Sequence, residues 1–160
     1  MSRFDELVEE VISISKSWGL YEQSDERAQQ VKAFEEYLEF LDADIIEDQL
    51  MEVGDIAVCI INANWFHNDC DIDLYWKRVP PPITSVLSDI AEGSYHTALG
   101  ALDCFTKWYT DYDYGIIDCL ELAVKKIRER DGMMINKRFV KYDDLTDEQK
   151  VECDRRKKNA

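Results

Sequence analysis

Apolar residues recur at intervals of three and four over most of the chain, which is the spacing that places side chains on one face of an α-helix. Residues 67–82 include a proline triplet and are predicted to form a loop. Residues 133–145 indicate an extended arm or a small hairpin. The pattern therefore predicts an all-α bundle of about four to five helices with a short extended C-terminal arm. The predicted helices occupy residues 4–17, 25–42, 45–66, 84–110 and 114–130.

Residue types at the helix ends refine this outline. Ser24 and Asp44 are the predicted N-caps of the second and third helices, because their side-chain oxygens can accept from free backbone N–H groups. Gly93 can interrupt the fourth helix. Thr146 followed by Gln149 fits a capping box for a short last helix. The basic tail beyond this helix is predicted to fray.

The second and third predicted helices each carry two acids three positions apart. Glu36 and Glu39 lie on the flank of an apolar stripe that we expect to face the core. Glu52 and Asp55 share one side of a helix whose next residues, 56–63, are apolar nearly all round and are predicted to be buried. The predicted core-facing stripe of the second helix consists of Val31, Phe34, Leu38 and Leu41.

Carboxylates at the entrance of a buried helix are costly unless they are paired or bind a cation. Two such pairs on adjacent helices can direct four carboxylates at one point, and hard divalent cations such as Mg²⁺ prefer oxygen ligands of this kind. Glu36 and Glu39 alone are more typical of a solvated helix face. Asn62 continues the stripe two turns beyond Asp55, where its amide can contact a ligand or complete a core hydrogen bond.

The chain of 160 residues is long enough for one domain with a core, which we place over residues 1–145, followed by a short helix and tail over 146–160. Its net charge is −15 and is unevenly distributed. Residues 1–124 carry 26 acids against 7 Lys and Arg, whereas 125–160 carry 12 Lys and Arg against 8 acids. The negative charge of residues 1–124 would repel a phosphate backbone, so a nucleic-acid partner is not expected. A small anion remains possible if metal ions screen the site.

The absence of other motifs narrows the function further. The chain has no P-loop, no Gly-rich dinucleotide fingerprint and no Ser/His/Asp signature. A calcium loop starting at Asp69 is rejected, because Leu74 and Pro80 stand where the template needs Gly and Glu. The five cysteines lack CxxC spacing and are predicted to be free thiols in a reducing cytoplasm. Neither a membrane span nor a signal peptide is expected.

The paired acids resemble a known signature. Glu35-Glu36-Tyr37-Leu38-Glu39, a gap of twelve residues and Glu52-Val53-Gly54-Asp55 resemble the EExxE…ExxD pattern of the all-α nucleoside triphosphate pyrophosphohydrolases, the MazG superfamily. The resemblance extends over about residues 5–145 and includes the basic end of the fifth helix. A small phage-encoded subgroup, MazZ, which converts dGTP to dGMP, is similar to this chain in size.

The resemblance implies a Mg²⁺-dependent hydrolase that converts a (d)NTP to (d)NMP and diphosphate, with dGTP and GTP as the substrates expected of that subgroup. It implies two or three Mg²⁺ ions per site, replaceable by Mn²⁺. It also implies a homotetramer built as a dimer of dimers, or a homodimer, in a bacterial host cytoplasm. The implied catalytic metal ligands are Glu36, Glu39, Glu52 and Asp55. The implied phosphate contacts are Lys32, Lys126 and Arg130, and we add Trp18 and Asn62 as candidate contacts of the base.

Two alternatives remain open. One is a related activity on the same scaffold, such as a dUTPase or a phosphoribosyl-ATP pyrophosphatase. The other is a non-catalytic helical interaction protein, in which the acids form a solvated or salt-bridged face. The sequence also leaves open whether Glu39 or Glu35 accepts the proton of the attacking water.

Overall fold

Helices dominate the computed structural model, which describes residues 1–68, 71–75 and 82–159. The all-α prediction is therefore confirmed, with eight helices in this part of the chain instead of the expected four to five. The helices are α1 (Arg3–Ser17), α2 (Leu20–Gln23), α3 (Glu26–Asp42), α4 (Ile46–Asn68), α5 (Ile83–Ala91), α6 (Tyr95–Tyr109), α7 (Ile116–Arg128) and α8 (Asp147–Asn159). Strands β1 (Gly132–Ile135) and β2 (Arg138–Lys141) form an antiparallel hairpin, and a 3₁₀ turn follows over Tyr142–Asp144.

The predicted N-caps of α3 and α4 are both wrong. Asp25, not Ser24, caps α3, and its carboxylate accepts from the backbone N–H of Ala28 at 2.8 Å. The predicted cap Asp44 lies two residues before the first residue of α4. Gly93 adopts a φ of +77°, which is favourable only for glycine, and so divides the predicted helix over 84–110 into α5 and α6.

The last helix is longer than expected. The capping box is confirmed, because the N–H of Gln149 donates to the hydroxyl of Thr146 and the N–H of Thr146 donates to the side chain of Gln149. The predicted fraying is wrong, since α8 continues to Asn159. The reason is Arg156, whose largely buried side chain pairs with Glu22 of α2 and holds the end of α8 against the body.

Helix α4 is the centre of the fold. It packs most extensively against α3 and α7 and also contacts α1 and α6. Every residue of 56–63 is buried, as the apolar run predicts. A helix that is surrounded in this way can carry polar groups only where a neighbouring helix supplies their partners.

The prediction for the apolar stripe of α3 is wrong. Val31, Leu38 and Leu41 are 47%, 59% and 57% exposed, and Phe34 is only partly buried. Because Glu36 must face α4 to lie near Glu52, the stripe on the other side of α3 is directed outward. The face that α3 buries consists of Gln29, Gln30, Ala33, Glu36 and Phe40.

A glycine permits the close approach of α7 to α4. A Cβ atom at Gly54 would lie 2.2 Å from the carbonyl oxygen of Cys119 and 2.9 Å from the Cβ of Ala123. Both atoms belong to α7, and the first is backbone, which cannot move aside as a side chain can. Gly54 therefore allows the short distance between α4 and α7, and this places the basic end of α7 beside α4.

The hairpin packs against the junction of α1 and α2. The N–H of Met134 donates to the carbonyl oxygen of Trp18 at 2.7 Å, and the N–H of Lys137 donates to that of Gln23 at 3.0 Å. Asn136 and Lys137 have φ values of +48° and +66°, so the two-residue turn is of type I′. In this position Phe139 contacts Trp18, with ring centroids 4.8 Å apart.

The predicted loop over 67–82 lies partly outside the described residues, as do Asp69, Cys70 and Pro80. Helix α4 continues to Asn68, and residues 71–75 have no regular secondary structure. No helix in the described part of the chain is long and apolar enough to cross a membrane. The cysteines found as free thiols are Cys59, Cys104, Cys119 and Cys153.

We expect Gly54→Ala to destabilise the chain by about 1–3 kcal/mol through overpacking, although alanine favours a helix by about 1 kcal/mol over glycine. Urea denaturation measures the difference. Gly93→Ala is the control. A Cβ atom at Gly93 would meet only side-chain atoms, at 3.7 Å or more, so this variant measures the cost of the positive φ without overpacking. A Gly54→Ala variant as stable as the parent chain contradicts the close α4–α7 contact.

Candidate functional site

Three of the predicted acids meet between α3 and α4. Glu36, Glu39 and Glu52 each direct a carboxylate oxygen to a common point, and these oxygens lie within 4.8 Å of one another. Glu36 is buried at 6% exposure, Glu52 is partly buried and Glu39 is exposed. The cluster therefore extends from the interior of the helix pair to solvent.

The fourth predicted acid, Asp55, is one turn further along α4 and is engaged differently. Its carboxylate accepts from Nζ of Lys126 on α7 at 2.5 Å. Lys32 on α3 compensates the neighbouring charge, with its Nζ 2.8 Å from Glu36. Two of the predicted phosphate contacts, Lys32 and Lys126, are thus paired with two of the predicted metal ligands.

Burial changes the protonation of the acids on α4. Burial, together with a hydrogen bond to Glu36, raises the pKa of Glu52 to about 7, while the charge of Lys126 opposes the change. Burial also raises the pKa of Asp55, although the hydrogen bond from Lys126 opposes this. Burial lowers the pKa of Lys32, but its bonds to Glu36 and Glu35 outweigh this effect and raise it overall.

The residues fit a hard divalent cation. Oxygen Oε2 of Glu52 is buried and has no hydrogen-bond partner among the described residues. An ionised carboxylate oxygen in this position lacks compensation, which a cation bound among the three glutamates supplies. Carboxylate oxygens are also the ligands that Mg²⁺ and Mn²⁺ prefer.

A cavity of about 750 Å³ adjoins the acids. Glu36 and Asp55 form part of its wall, and Arg130 lies in it with its guanidinium carbon 6.0 Å from the centre of the Phe139 ring. Acids and basic groups thus line the same cavity, an arrangement suited to an anion that carries metal ions. The cations lining the cavity are Arg27, Lys32, Arg130, Lys137 and Arg138.

Another part of the same cavity is apolar and aromatic. Trp18 and Phe139 lie there in contact with each other, and Asn62 contributes an amide from α4. The remaining apolar lining residues are Leu20, Ala28, Val31, Val58, Cys59, Ile127 and Met134. The predicted base contacts Trp18 and Asn62 therefore lie in the cavity that the predicted phosphate contact Arg130 also lines.

Several lining residues had no signal in the sequence. Arg27 is an ordinary exposed position in the first turn of α3, and Lys137 and Arg138 lie at a hairpin turn more than 100 positions away. Only the return of the hairpin to the α1–α2 junction brings them to the cavity. Lys137 adopts a left-handed conformation where glycine is favoured, so its residue type does not mark the turn in the sequence.

Comparison of the chain with family models, with curated proteins and with solved structures gives no match.

The raised pKa of Glu52 predicts a pH-dependent stability of the metal-free chain. The folded state retains a proton between the ordinary value of 4.5 and about 7, where the unfolded state has lost it. The free energy of unfolding should therefore fall as the pH rises through this range. Urea denaturation with EDTA at successive pH values measures the slope.

Glu52→Gln is the comparison for this experiment, because it retains the side-chain size and removes the titration. Its stability should depend less steeply on pH between 4.5 and 7. The same slope in both chains contradicts the protonation of Glu52.

Proposed function

We propose that this chain is a Mg²⁺-dependent nucleoside triphosphate pyrophosphohydrolase, which converts (d)NTP and water to (d)NMP and diphosphate. The resemblance of its acids to the EExxE…ExxD signature supports the reaction, and its similarity in size to the MazZ subgroup makes dGTP and GTP the expected substrates. The proposal rests on both the resemblance and the physical character of the cavity.

One observation carries the proposal: five cations line a cavity whose wall includes Asp55 and Glu36, and Glu36 belongs to the cluster of three carboxylates, in a chain whose net charge is −15. A solvated acidic face needs no such cations opposite it. A triphosphate with bound Mg²⁺ needs both groups, because its metal ions require carboxylates and its remaining oxygens require basic side chains. The apolar part of the cavity offers space for a base.

The residues divide into two sets by chemistry. Glu36, Glu39 and Glu52 are the proposed metal ligands, and Asp55 joins them when Lys126 turns to a phosphate. Bound Mg²⁺ supplies charge neutralisation on the phosphoryl oxygens and lowers the pKa of a water molecule. The proposed phosphate contacts are Lys32, Lys126 and Arg130, joined by Arg27, Lys137 and Arg138.

We propose that an exposed acid at the edge of the cluster accepts the proton of the attacking water. Glu39 and Glu35 both qualify, since Glu39 is exposed in the cluster and Glu35 lines the cavity 3.3 Å from Nζ of Lys32. The water oxygen bonds to phosphorus, the bond to the diphosphate oxygen breaks, and the proton passes to the carboxylate.

Glu39→Gln should reduce diphosphate release by more than about 100-fold, since changes even outside the ligand shell of a metal cost 10–100-fold. The assay is a panel of the eight common NTPs and dNTPs with Mg²⁺, scored for monophosphate and diphosphate. Glu47→Gln is the control, because Glu47 is an exposed acid in the first turn of the same α4 and should retain full activity. Full activity in Glu39→Gln contradicts the site.

The same variants separate the alternatives. A related pyrophosphatase on this scaffold gives the same dependence on Glu39 with another preferred substrate in the panel. A non-catalytic interaction protein gives no product and no stabilisation by Mg²⁺. Our proposal expects Mg²⁺ at 100 times its dissociation constant to stabilise the parent chain by about 2.7 kcal/mol, and Glu39→Gln to lose most of this.

We also propose that the chain assembles as a homotetramer, a dimer of dimers. The outward stripe of α3 supports one interface, because its apolar residues follow the 3-4 spacing of a helix–helix seam. Its members are Val31, Phe34, Leu38 and Leu41, and the exposed Ile45 follows in the connection to α4. Exposed aromatic residues after and within the end of α6 support a second interface, formed by Trp108, Tyr109, Tyr112 and Tyr114.

The expected aromatic surface needs one correction. Trp65 is only partly buried in a stack with Tyr21, at 3.9 Å between ring centroids, and so does not contribute a free face. Trp76, which the sequence also suggests, lies outside the described residues.

Leu38→Glu should convert the tetramer to a smaller species, because it places a charge in the centre of the α3 seam. Light scattering after size exclusion measures the mass. Val151→Glu is the control, since Val151 is an exposed apolar residue of α8, at 71%, away from the seam. An unchanged mass for Leu38→Glu, or a monomeric parent chain, contradicts the interface.

A further inference from the structure

The hairpin formed by β1 and β2 supplies part of the cavity wall. Its side chains that line the cavity are Met134, Lys137, Arg138 and Phe139. The clustered acids lie elsewhere, since Glu36 and Glu39 belong to α3 and Glu52 belongs to α4. A displaced hairpin would therefore remove two cations and an aromatic ring from the cavity and leave the proposed metal ligands in place.

An isolated two-stranded hairpin has little stability of its own, so its neighbours decide where it lies. One neighbour is the junction of α1 and α2, where the carbonyl oxygens of Trp18 and Gln23 accept from backbone N–H groups of the hairpin. The other neighbour is α8, where the thiol of Cys153 donates to the carbonyl oxygen of Gly132 at 3.4 Å. A small apolar cluster, separate from the main core, joins α8 to the hairpin and consists of Met133, Leu145 and Cys153.

Helix α8 itself has little apolar attachment. Cys153 is the single buried residue of this helix, all of which the structure describes. Ion pairs near the end of the helix therefore contribute much of its attachment to the rest of the chain. Lys157 pairs with Asp131, which directly precedes the hairpin, and Arg156 pairs with Glu22 of α2.

The pair between Arg156 and Glu22 differs from an ordinary surface ion pair, which contributes little to stability. Both terminal nitrogens of the guanidinium donate to the carboxylate oxygens of Glu22, one of them at 3.0 Å. Such a bidentate pair fixes orientation as well as distance. The Arg156 side chain is only 11% exposed, so the loss of Glu22 leaves a largely buried charge without its partner.

Gly19 makes room for this contact. It lies between α1 and α2 with a φ of +71°, and a Cβ atom there would come within 2.9 Å of the guanidinium carbon of Arg156. The arginine thus lies against the backbone at the residue that follows Trp18, whose carbonyl oxygen accepts from Met134 of the hairpin. The end of α8 and the hairpin therefore meet the same short segment of the chain.

We infer that Arg156 is a positioning residue for the proposed reaction. It fixes α8 to the α1–α2 junction, and α8 in turn holds the hairpin that directs Lys137 and Arg138 to the substrate. The inference rests on the proposed function and concerns substrate binding, because the metal ligands lie outside the hairpin. Loss of the pair should therefore raise KM and leave kcat nearly unchanged.

Arg156→Gln removes the charge and the bidentate contact. The KM for dGTP with Mg²⁺ should rise by about 10- to 100-fold, as expected for lost hydrogen bonds to a charged ligand. Glu22→Gln leaves Arg156 in place, should have the same effect, and is the second variant if Arg156→Gln does not fold. Arg156→Lys keeps the charge without the planar fork, so it should restore part of the affinity.

Arg155→Gln is the matched control for these variants. Arg155 is the neighbouring arginine of α8, its side chain is 59% exposed, and it pairs with Glu152 of the same helix. Its replacement removes the same charge from the chain and should leave both KM and kcat unchanged.

Hydrogen exchange tests the positioning without substrate or metal. The N–H groups of Met134 and Lys137 donate to carbonyl oxygens of the α1–α2 junction, so they are protected while the hairpin stays there. Both should exchange at least about 10-fold faster in Arg156→Gln than in the parent chain. The amides of residues 56–63 in α4 should be unchanged, and Arg155→Gln should match the parent chain throughout.

Three results overturn the inference. Unchanged exchange at Met134 and Lys137 in Arg156→Gln shows that this arginine does not hold the hairpin. Faster exchange with an unchanged KM shows that the hairpin does not bind the substrate. A lower kcat at constant KM shows an effect on the chemical step instead. In all three the parent chain hydrolyses dGTP, whereas a parent chain that hydrolyses no triphosphate overturns the proposed function itself.

Discussion

The repulsion between carboxylates on α3 and α4 is the constraint on which this structure depends. Glu36, Glu52 and Asp55 are held at adjoining turns of two packed helices, where solvent does not screen them fully. Each is compensated in a different way. Lys32 pairs with Glu36, Lys126 pairs with Asp55, and Glu52 retains a proton up to about pH 7.

This constraint explains the arrangement of the helices around α4. The central helix is buried along most of its length, yet one side carries two acids and an amide. Glu52 faces α3, where Glu36 lies, and Asp55 faces α7, where Lys126 lies. Gly54 directly precedes Asp55 and permits the close approach of α7. Gly54 and Asp55 therefore pack α4 closely against α7 and bring the carboxylate of Asp55 to its counter-charge, Lys126.

Local patterns predicted those parts of the fold in which burial and periodicity agree. The apolar run over residues 56–63 predicted the burial of α4, and Thr146 with Gln149 predicted the start of α8. Periodicity predicted the wrong buried face for α3, because this helix buries the acid Glu36 and exposes Leu38 and Leu41. A prediction from apolar spacing assumes the opposite arrangement. Asn62 was recognised from its place on the acidic stripe, but its partner Tyr21 belongs to α2, a four-residue helix with no periodic signal.

The net charge of the chain and the charge of its cavity lead to opposite expectations for an anionic ligand, and distance decides between them. At physiological salt, charges separated by more than about 8 Å are largely screened. The acids spread over the surface therefore contribute less inside the cavity than its own lining does, in which Arg27, Arg130 and Arg138 lie together with the acids Asp25, Glu35, Glu36 and Asp55. Arg138 reaches the cavity only because its neighbour Lys137 ties the hairpin to Gln23 and Asp25. The position of a surface hairpin thus determines how many basic side chains line the cavity of this acidic chain.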